Sequence, residues 1–308
     1  MANKINVLEC GPRDGWQNLK QMLTFEQKLD LIDRLFDAGV TQMEVTSFVS
    51  PKAIPQMADA AELAKACIEK YPDATLYALA PNFRGVENAV NAGIKNISYV
   101  ISVSESHNKA NIRRTHEESL AELQKIMDTY PQANICVSLA TVFGCPFEGV
   151  PTFSRLKFVL DQLSAMGIKV VGLGDTSGVA TPLQVYNTTS RLLDAYPDIN
   201  FFFHPHNTHG NAMANVFAAM QAGITHFDSS VAGLGGCPYA PGASGNIATE
   251  DLVDTMNEMG IETGIDVDRL LDTARFLREA LGHSDSATLR AGKISDLSAE
   301  GPHHQCNR

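Results

Sequence analysis

The sequence has neither a long apolar run nor a run of Lys and Arg. No apolar stretch approaches the roughly 20 residues that a membrane span requires, and the net charge of −11 comes without a basic segment that could follow a phosphate backbone. We therefore expect no membrane insertion and no nucleic-acid partner. A basic leader followed by an apolar segment is also missing before the first strand-like run, so the sequence predicts a cytoplasmic location.

Paired cysteine spacing is absent as well. The six cysteines are scattered along the chain: Cys10, Cys67, Cys136, Cys145, Cys237 and Cys306. Disulfide frameworks belong mainly to small secreted domains, so this large acidic chain predicts reduced thiols in a cytosolic setting. Taken singly, each cysteine is expected to be a small buried apolar residue.

The 308 residues do contain enough apolar sequence, 44%, to fill a large core. Within them, segments typical of strands and of helices alternate. The strand-like runs are Ile5–Glu9, Met43–Thr46, Thr75–Leu79, Asn96–Ile101, Ile135–Thr141, Val170–Leu173, Asn200–His204 and Thr225–Ser230. Helical spacing of apolar residues occurs between them, for example at Phe25–Ala38, Ala58–Tyr71, His116–Tyr130, Arg155–Met166, Leu183–Tyr196 and Ala212–Ala222.

Eight strands separated by helices predict a parallel sheet, and eight is the number of strands that closes into a barrel. We therefore predict an α/β protein with a (β/α)8 TIM barrel at about 5–262 and a C-terminal helix and tail at about 263–308, in a single domain, 1–308. Helical patterns near Thr249–Met259 and Val267–Leu281 support the extension. A doubly wound open sheet is the alternative, but it normally uses fewer strands and needs a topological switch point.

Polar side chains at the carboxyl ends of the strands form the candidate site, because barrels carry their chemistry there. The seventh strand ends in His204 and His206, which strand geometry places on one face. A lone histidine would more often be a hydrogen-bonded core residue, but two imidazoles at this position favour a divalent metal. Asp14, after the first strand, and Asn246, after the eighth, add a carboxylate and an amide oxygen. This set predicts Mg²⁺ or Mn²⁺, although imidazole also suits zinc.

Further charged residues follow other strands. Arg13 precedes Asp14 in a turn bracketed by Gly and Pro, a pattern that alone is typical of an ordinary surface turn. Glu44 and Asp175 come at the ends of the second and sixth strands. Either could cap a helix or hold an arginine, but together they indicate a ring of negative charge around a cation.

A glycine-rich stretch, Gly233–Asn246, carries Cys237 outside any predicted core element. One interpretation is a flexible linker with an incidental thiol. The other is a lid that closes over a bound substrate, and a thiol held beside a carbanion can donate its proton.

These motifs resemble those of the hydroxymethylglutaryl-CoA lyase family, which are metal-dependent enzymes on a TIM barrel. The resemblance runs in order from about Ile5 to Leu281. It rests on Gly11–Gly15, Glu44–Pro51, Gly174–Gly178, His204–His206 and, most specifically, Asp228–Asp251. It implies a carbon–carbon lyase that converts a 3-hydroxy-3-methylglutaryl-CoA-like substrate into acetyl-CoA and a keto acid, acetoacetate.

The resemblance also implies roles for individual residues. The implied metal ligands are Asp14, His204, His206 and Asn246. The implied catalytic residues are Arg13, Cys237, Asp14, His204, Glu44 and Asp175. The implied substrate-binding residues are Arg13, Ser47 and Thr176. Arg13 would stabilise the thioester enolate and Cys237 would transfer a proton to it, while Asp14 and His204 are both candidates for the general base. Members of the family are often dimers, so we expect a homodimer.

The sequence departs from the family pattern at Trp16, Arg113, Arg114 and Cys136, where Leu, Asn, Cys and Arg are usual. One hypothesis is an altered acyl or CoA pocket, in which the arginines contact a carboxylate or phosphates. The other places both arginines on an exposed loop. The corresponding alternative substrates are citramalyl-CoA or a longer branched analogue. A Claisen-type synthase or aldolase on the same scaffold, and a non-catalytic barrel, are the remaining alternatives.

Overall fold

A closed barrel of parallel strands forms the centre of the molecule. The computed structural model describes residues 2–17, 19, 21–236, 245–281 and 286–295. The strands, paired in chain order, are β1 Asn6–Glu9, β2 Gln42–Ser47, β3 Thr75–Leu79, β4 Asn96–Ser102, β5 Asn134–Ala140, β6 Val170–Gly174, β7 Asn200–His204 and β8 His226–Ser229. Because β1 pairs with both β2 and β8, the sheet has no edge. The predicted TIM barrel is confirmed, and the open doubly wound sheet is wrong.

Helices surround the barrel. They are α1 Phe25–Asp37, α2 Ala60–Lys70, α3 Phe83–Asn91, α4 Glu105–Ile112, α5 His116–Thr129, α6 Phe153–Ala165, α7 Pro182–Ala195, α8 Ala212–Ala222, α9 Thr249–Glu258, α10 Val267–Leu281 and α11 Ala287–Ala291. Thr24 and Thr115 precede α1 and α5 in capping boxes, which satisfy backbone N–H groups of the first turn. Both helices therefore begin at the residues that the apolar spacing predicts.

Apolar spacing misses α4 because polar contacts, rather than a buried apolar stripe, fix this helix. The Ser104 side chain accepts from the backbone N–H of His107 at its first turn. Asn108 is fully buried, where its Oδ1 accepts from the backbone of Ser102 and its Nδ2 donates to the carbonyl of Arg114. The short α11 was missed for a similar reason, since Asp251 accepts from backbone groups at its start.

Apolar side chains from the strands and helices pack into one cluster that extends from Ile5 to Leu277. It includes α10, which packs against α1 and α9, so the predicted C-terminal helical extension is present. Since all strands run parallel, their carboxyl ends lie on one rim of the barrel. Among the described residues, no helix is both long and apolar enough to cross a membrane.

Candidate active site

The turn after β1 places two charged side chains on the rim formed by the carboxyl ends of the strands. Gly11–Gly15 forms a single π-helical turn that carries Arg13 and Asp14. The backbone N–H of Asp14 donates to the carbonyl of Cys10 at 2.7 Å. The sequence pattern alone suggested an ordinary surface turn, but Asp14 is only 6% exposed.

Four predicted metal ligands converge beside this turn. Ligand atoms of Asp14, His204 and His206 all lie within 4.8 Å of one another. The two Nε2 atoms of the histidines are 3.1 Å apart. Asn246 joins them through Nδ2, which donates to Asp14 Oδ2 at 2.7 Å. More than two hundred residues separate Asp14 from Asn246 in the chain, and the closure of β8 onto β1 brings them together.

These residues fit a divalent ion. The two ring nitrogens face each other, and with a carboxylate and an amide they form a donor set that would suit Mg²⁺ or Mn²⁺. Gly235 has no side chain to fill the space beside Asn246 and Asp14. A Cβ atom there would lie 2.2 Å from Asn246 Nδ2 and 3.2 Å from Asp14 Oδ2, and the φ of +128° disfavours other residues.

Asp228 orients one of the histidines and was missed as a site residue. Its Oδ2 is 2.9 Å from His204 Nδ1, so the other ring nitrogen, Nε2, faces His206. Burial alone would lower the pKa of His204, but the bond to Asp228 and its charge raise it above the usual value. Burial, together with the charge of His204, lowers the pKa of His206 to about 4. An inward-facing acid on the eighth strand was the available signal.

Arg13 lies between two carboxylates. Its Nε donates to Glu44 Oε2, and its Nη1 donates to Asp14 Oδ1 at 2.5 Å. Burial would lower the pKa of Arg13, but Asp14 and Glu44 raise it above its usual range, so the guanidinium is a permanent cation. Burial likewise opposes ionisation of Asp14, yet Arg13 and the two histidines hold the pKa of Asp14 below its usual value.

Of the remaining predicted residues, Asp175 and Thr176 bind backbone groups of the barrel. Asp175 is buried and accepts from the backbone N–H groups of Val179 and Ala180, and burial raises its pKa to about 6. Thr176 Oγ1 accepts from the backbone of Thr141 at 2.8 Å. Ser47 is fully buried and its hydroxyl has no hydrogen-bond partner among the described residues. Cys237 lies outside the described residues.

Two buried glutamates beneath the rim were also missed. Glu9 accepts from the backbone of Gly11 and Val231 and from the hydroxyl of Thr249, which joins the ends of β1 and β8 to the start of α9. Glu250 accepts from the backbone of Ala232. Burial raises their pKa values to about 7 and about 8, respectively. A glutamate at the end of an otherwise apolar strand was the signal for Glu9.

The departures from the family pattern fall in different places. Trp16 is buried in the hydrophobic core and does not line the cavity inside the barrel. Arg114 donates to the carbonyl of Pro81 and pairs with Glu122, while Arg113 is exposed at the end of α4. Cys136, by contrast, lines the cavity that Arg13 also lines.

Fold and site together define a (β/α)8-barrel enzyme with a candidate divalent-metal centre beside a buried arginine. Within that class, the chain belongs to the HMGL-like family, whose model matches residues 4–277. The predicted membership of a family of carbon–carbon lyases is thus confirmed.

Several relatives are similar over nearly the whole chain. The mitochondrial hydroxymethylglutaryl-CoA lyase of Macaca fascicularis is 42% identical, over 93% of this chain and 89% of that protein. A hydroxymethylglutaryl-CoA lyase of Bacillus subtilis is also 42% identical, over 91% of this chain and 94% of its own. An HMG-CoA lyase from Acinetobacter baumannii, solved with coenzyme A and 3-methylmalate, superposes with a TM-score of 0.90 at 39% identity, covering 96% of this chain and 97% of that one.

The carboxyl transferase domain of Rhizobium etli pyruvate carboxylase shares the fold alone. It superposes with a TM-score of 0.70 at 16% identity, covering 92% of this chain and 49% of that one.

Proposed function

We propose that this protein cleaves 3-hydroxy-3-methylglutaryl-CoA, or a close 3-hydroxyacyl-CoA analogue, into acetyl-CoA and a keto acid, acetoacetate for the parent substrate. The observation that carries the proposal is the convergence of Asp14, His204, His206 and Asn246 beside Arg13. The names of the relatives support the reaction, and the bound coenzyme A in one of them supports a thioester substrate.

Cleavage between C2 and C3 requires a base that removes the proton of the C3 hydroxyl and a group that accepts the electrons of the breaking bond. The electrons move to C2 and the thioester oxygen as the bond breaks, which produces the enolate of acetyl-CoA. A divalent ion, with Mg²⁺ or Mn²⁺ proposed, supplies positive charge that favours deprotonation of the hydroxyl. Asp14 and His204 are the two candidate proton acceptors beside it.

Arg13 is proposed to stabilise the enolate. Its charge is permanent and its position is fixed by Glu44 and Asp14, so it needs little reorganisation as negative charge develops on the thioester oxygen. A contact that strengthens only as the bond breaks lowers the barrier. Ser47 and Thr176 are proposed to bind substrate on the same rim, and Asp175 to support its geometry.

Cys237 is proposed to donate the proton that converts the enolate into acetyl-CoA. The support is its place in the glycine-rich stretch, whose described flank, Gly235, lies against the ligands Asn246 and Asp14. Cys237→Ala is expected to lose most of the turnover while Mn²⁺ binding survives. A synthase or aldolase without this step would keep its turnover.

The direct test is incubation with 3-hydroxy-3-methylglutaryl-CoA and with citramalyl-CoA in the presence of Mg²⁺ or Mn²⁺, with the products separated by chromatography. We expect metal-dependent release of acetyl-CoA and acetoacetate from the first thioester. Metal binding without cleavage of any acyl-CoA would instead favour the non-catalytic barrel.

We also propose a cytoplasmic homodimer. The four described cysteines, Cys10, Cys67, Cys136 and Cys145, are free and buried, which supports a reducing compartment. Exposed apolar side chains on α6 and α7 support an interface along these helices, and they include Phe158, Leu183 and Tyr186. Light scattering at several concentrations should give the mass of two chains, and a single-chain mass throughout would contradict this.

A further inference from the structure

A cavity of about 320 Å³ occupies the inside of the barrel below the candidate active site. At the catalytic end it is lined by Arg13, Glu44 and Asp228. At the other end it is lined by polar residues that begin their strands, among them Asn200 and His226, and these two are exposed, so the cavity reaches the surface there. The interior of a TIM barrel is normally filled by layers of side chains. A space that extends through the barrel to Arg13 therefore requires an explanation.

Small residues on three neighbouring strands create this space. Ser98 on β4 lies beside Cys136 on β5, and Ser138 on β5 lies beside Gly172 on β6. The ring of Phe202 occupies the position over Gly172, where an added Cβ would lie 2.3 Å from its Cζ. The small side chains of Ser98, Cys136 and Ser138 all line the cavity.

Large side chains elsewhere around the cavity are not fully covered. Leu8, Tyr77 and Phe202 lie on barrel strands and line the cavity, yet each keeps a part of its surface exposed. Apolar and aromatic surface left exposed inside a barrel gains free energy when an apolar ligand covers it.

The charges around the cavity disfavour a second anion within it. Among the described lining residues, Arg13 is the only permanent cation, and Glu44 and Asp14 already engage it. Glu44 and Asp228 are acidic, and burial lowers the pKa of His226 at the far end. A carboxylate in the middle of the cavity would lose its water without gaining a counter-ion, which is costly.

We propose that this cavity binds an uncharged aliphatic substituent on C3 of the substrate, longer than a methyl group, and that Ser98, Cys136 and Ser138 determine its length. The proposal rests on the proposed lyase function and names its substrate class. A water-sized group occupies roughly 30 Å³, so the cavity has room for about ten carbon-sized groups. The methyl group of the parent substrate would fill a small part of it.

The test is a series of 3-hydroxy-3-alkylglutaryl-CoA thioesters in which the alkyl group grows from methyl to hexyl. We expect kcat/KM to rise about fourfold for each of the first added methylene groups, as expected for about 0.8 kcal/mol per buried CH₂. A kcat/KM that is highest for methyl and stays flat or falls with length would overturn the proposal while leaving the lyase function intact. Failure to cleave any member of the series would refute the lyase function itself.

Cavity-filling variants locate the effect. In Ser138→Leu, and independently in Cys136→Leu, the ratio of kcat/KM for hexyl to that for methyl should fall at least tenfold. Ser164→Leu introduces the same side chain on the exposed face of α6 and should leave the ratio unchanged. Two variants guard against a failure to fold, and Mn²⁺ affinity measured in parallel verifies the metal centre. An unchanged ratio in folded variants with normal Mn²⁺ affinity would show that the substituent binds elsewhere.

Discussion

At the scale of single residues, the site depends on charges that are buried in pairs. Arg13 is held by Asp14 and Glu44, and His204 is held by Asp228. Removing one member of such a pair leaves a buried group without its partner, so conservative substitutions should have large effects here. The sequence predicted Arg13, Asp14 and Glu44 as members of one site, but their mutual contacts depend on side-chain directions that a sequence does not specify.

The first prediction concerns Arg13→Gln. It should lower kcat by about 10²–10³-fold, as does removal of one fixed donor to a developing oxyanion, while KM changes less. Arg34→Gln is the control, since Arg34 forms an exposed ion pair with Asp30 on α1. Steady-state kinetics with the preferred thioester measure both. A kcat within a fewfold of the unmodified protein would remove Arg13 from the enolate-stabilising role.

A second prediction at this scale concerns Asp228→Asn. The amide preserves the shape of Asp228 but removes the charge that orients His204, so Mn²⁺ affinity should fall about 10–100-fold. Asp194→Asn, on the exposed surface of α7, should leave the affinity unchanged. Calorimetric titration measures both. Equal affinities in the two variants would mean that Asp228 does not support the ligand.

At the scale of elements, the turn after β8 connects the barrel to the metal ligands. Ala232 in this turn has a left-handed φ of 61° and is held by Glu250, and Gly235 follows it against Asn246. The sequence showed a glycine-rich stretch and suggested a mobile loop. It did not show that one glycine there is required by a close approach to ligand side chains.

The prediction for this element compares two neighbouring glycines. Gly235→Ala should weaken Mn²⁺ binding about tenfold or more, because the added Cβ meets Asn246 and the backbone conformation is strained for alanine. In Gly236→Ala the added Cβ has no atom of the described residues within 4 Å, so this variant should bind Mn²⁺ normally. Similar losses of affinity in both variants would point to general loop flexibility as the cause.

At the scale of the whole molecule, the sequence predicted the fold well because apolar patterns typical of strands and of helices alternate along the chain. The bounds of β3, β7, α8 and α10 match the predicted segments. Elements fixed by polar contacts, such as α4, were missed because no apolar period marks them. The continuous core supports our proposal that residues 1–308 form a single domain.

The stability of the folded molecule should depend on pH through Glu250. Burial raises its pKa to about 8, above the ordinary value of 4.5, so folding favours the protonated form. Its contribution is therefore complete below about pH 4.5 and is lost as the pH rises through about 8. The free energy of unfolding should therefore vary with pH by a few kcal/mol less in Glu250→Gln than in the unmodified protein, since one pKa unit corresponds to about 1.4 kcal/mol.

Chemical denaturation from pH 5 to pH 9 measures this effect. The stability of Glu250→Gln relative to the unmodified protein should increase over the range, whereas Glu262→Gln, at a largely exposed position, should follow the unmodified protein. A constant difference between Glu250→Gln and the unmodified protein at every pH would show that Glu250 is ionised in the folded state.

The proposed function depends on Asp14, His204, His206 and Asn246 binding one divalent ion together. Electron paramagnetic resonance of bound Mn²⁺ tests it most directly, because couplings to nitrogen report the number of coordinated imidazoles. We expect one tightly bound Mn²⁺ per chain with couplings to two histidine nitrogens, and only one of these couplings should remain in His206→Ala. A bound ion without nitrogen coupling, or one that His206→Ala and Asn246→Ala bind unchanged, would contradict it.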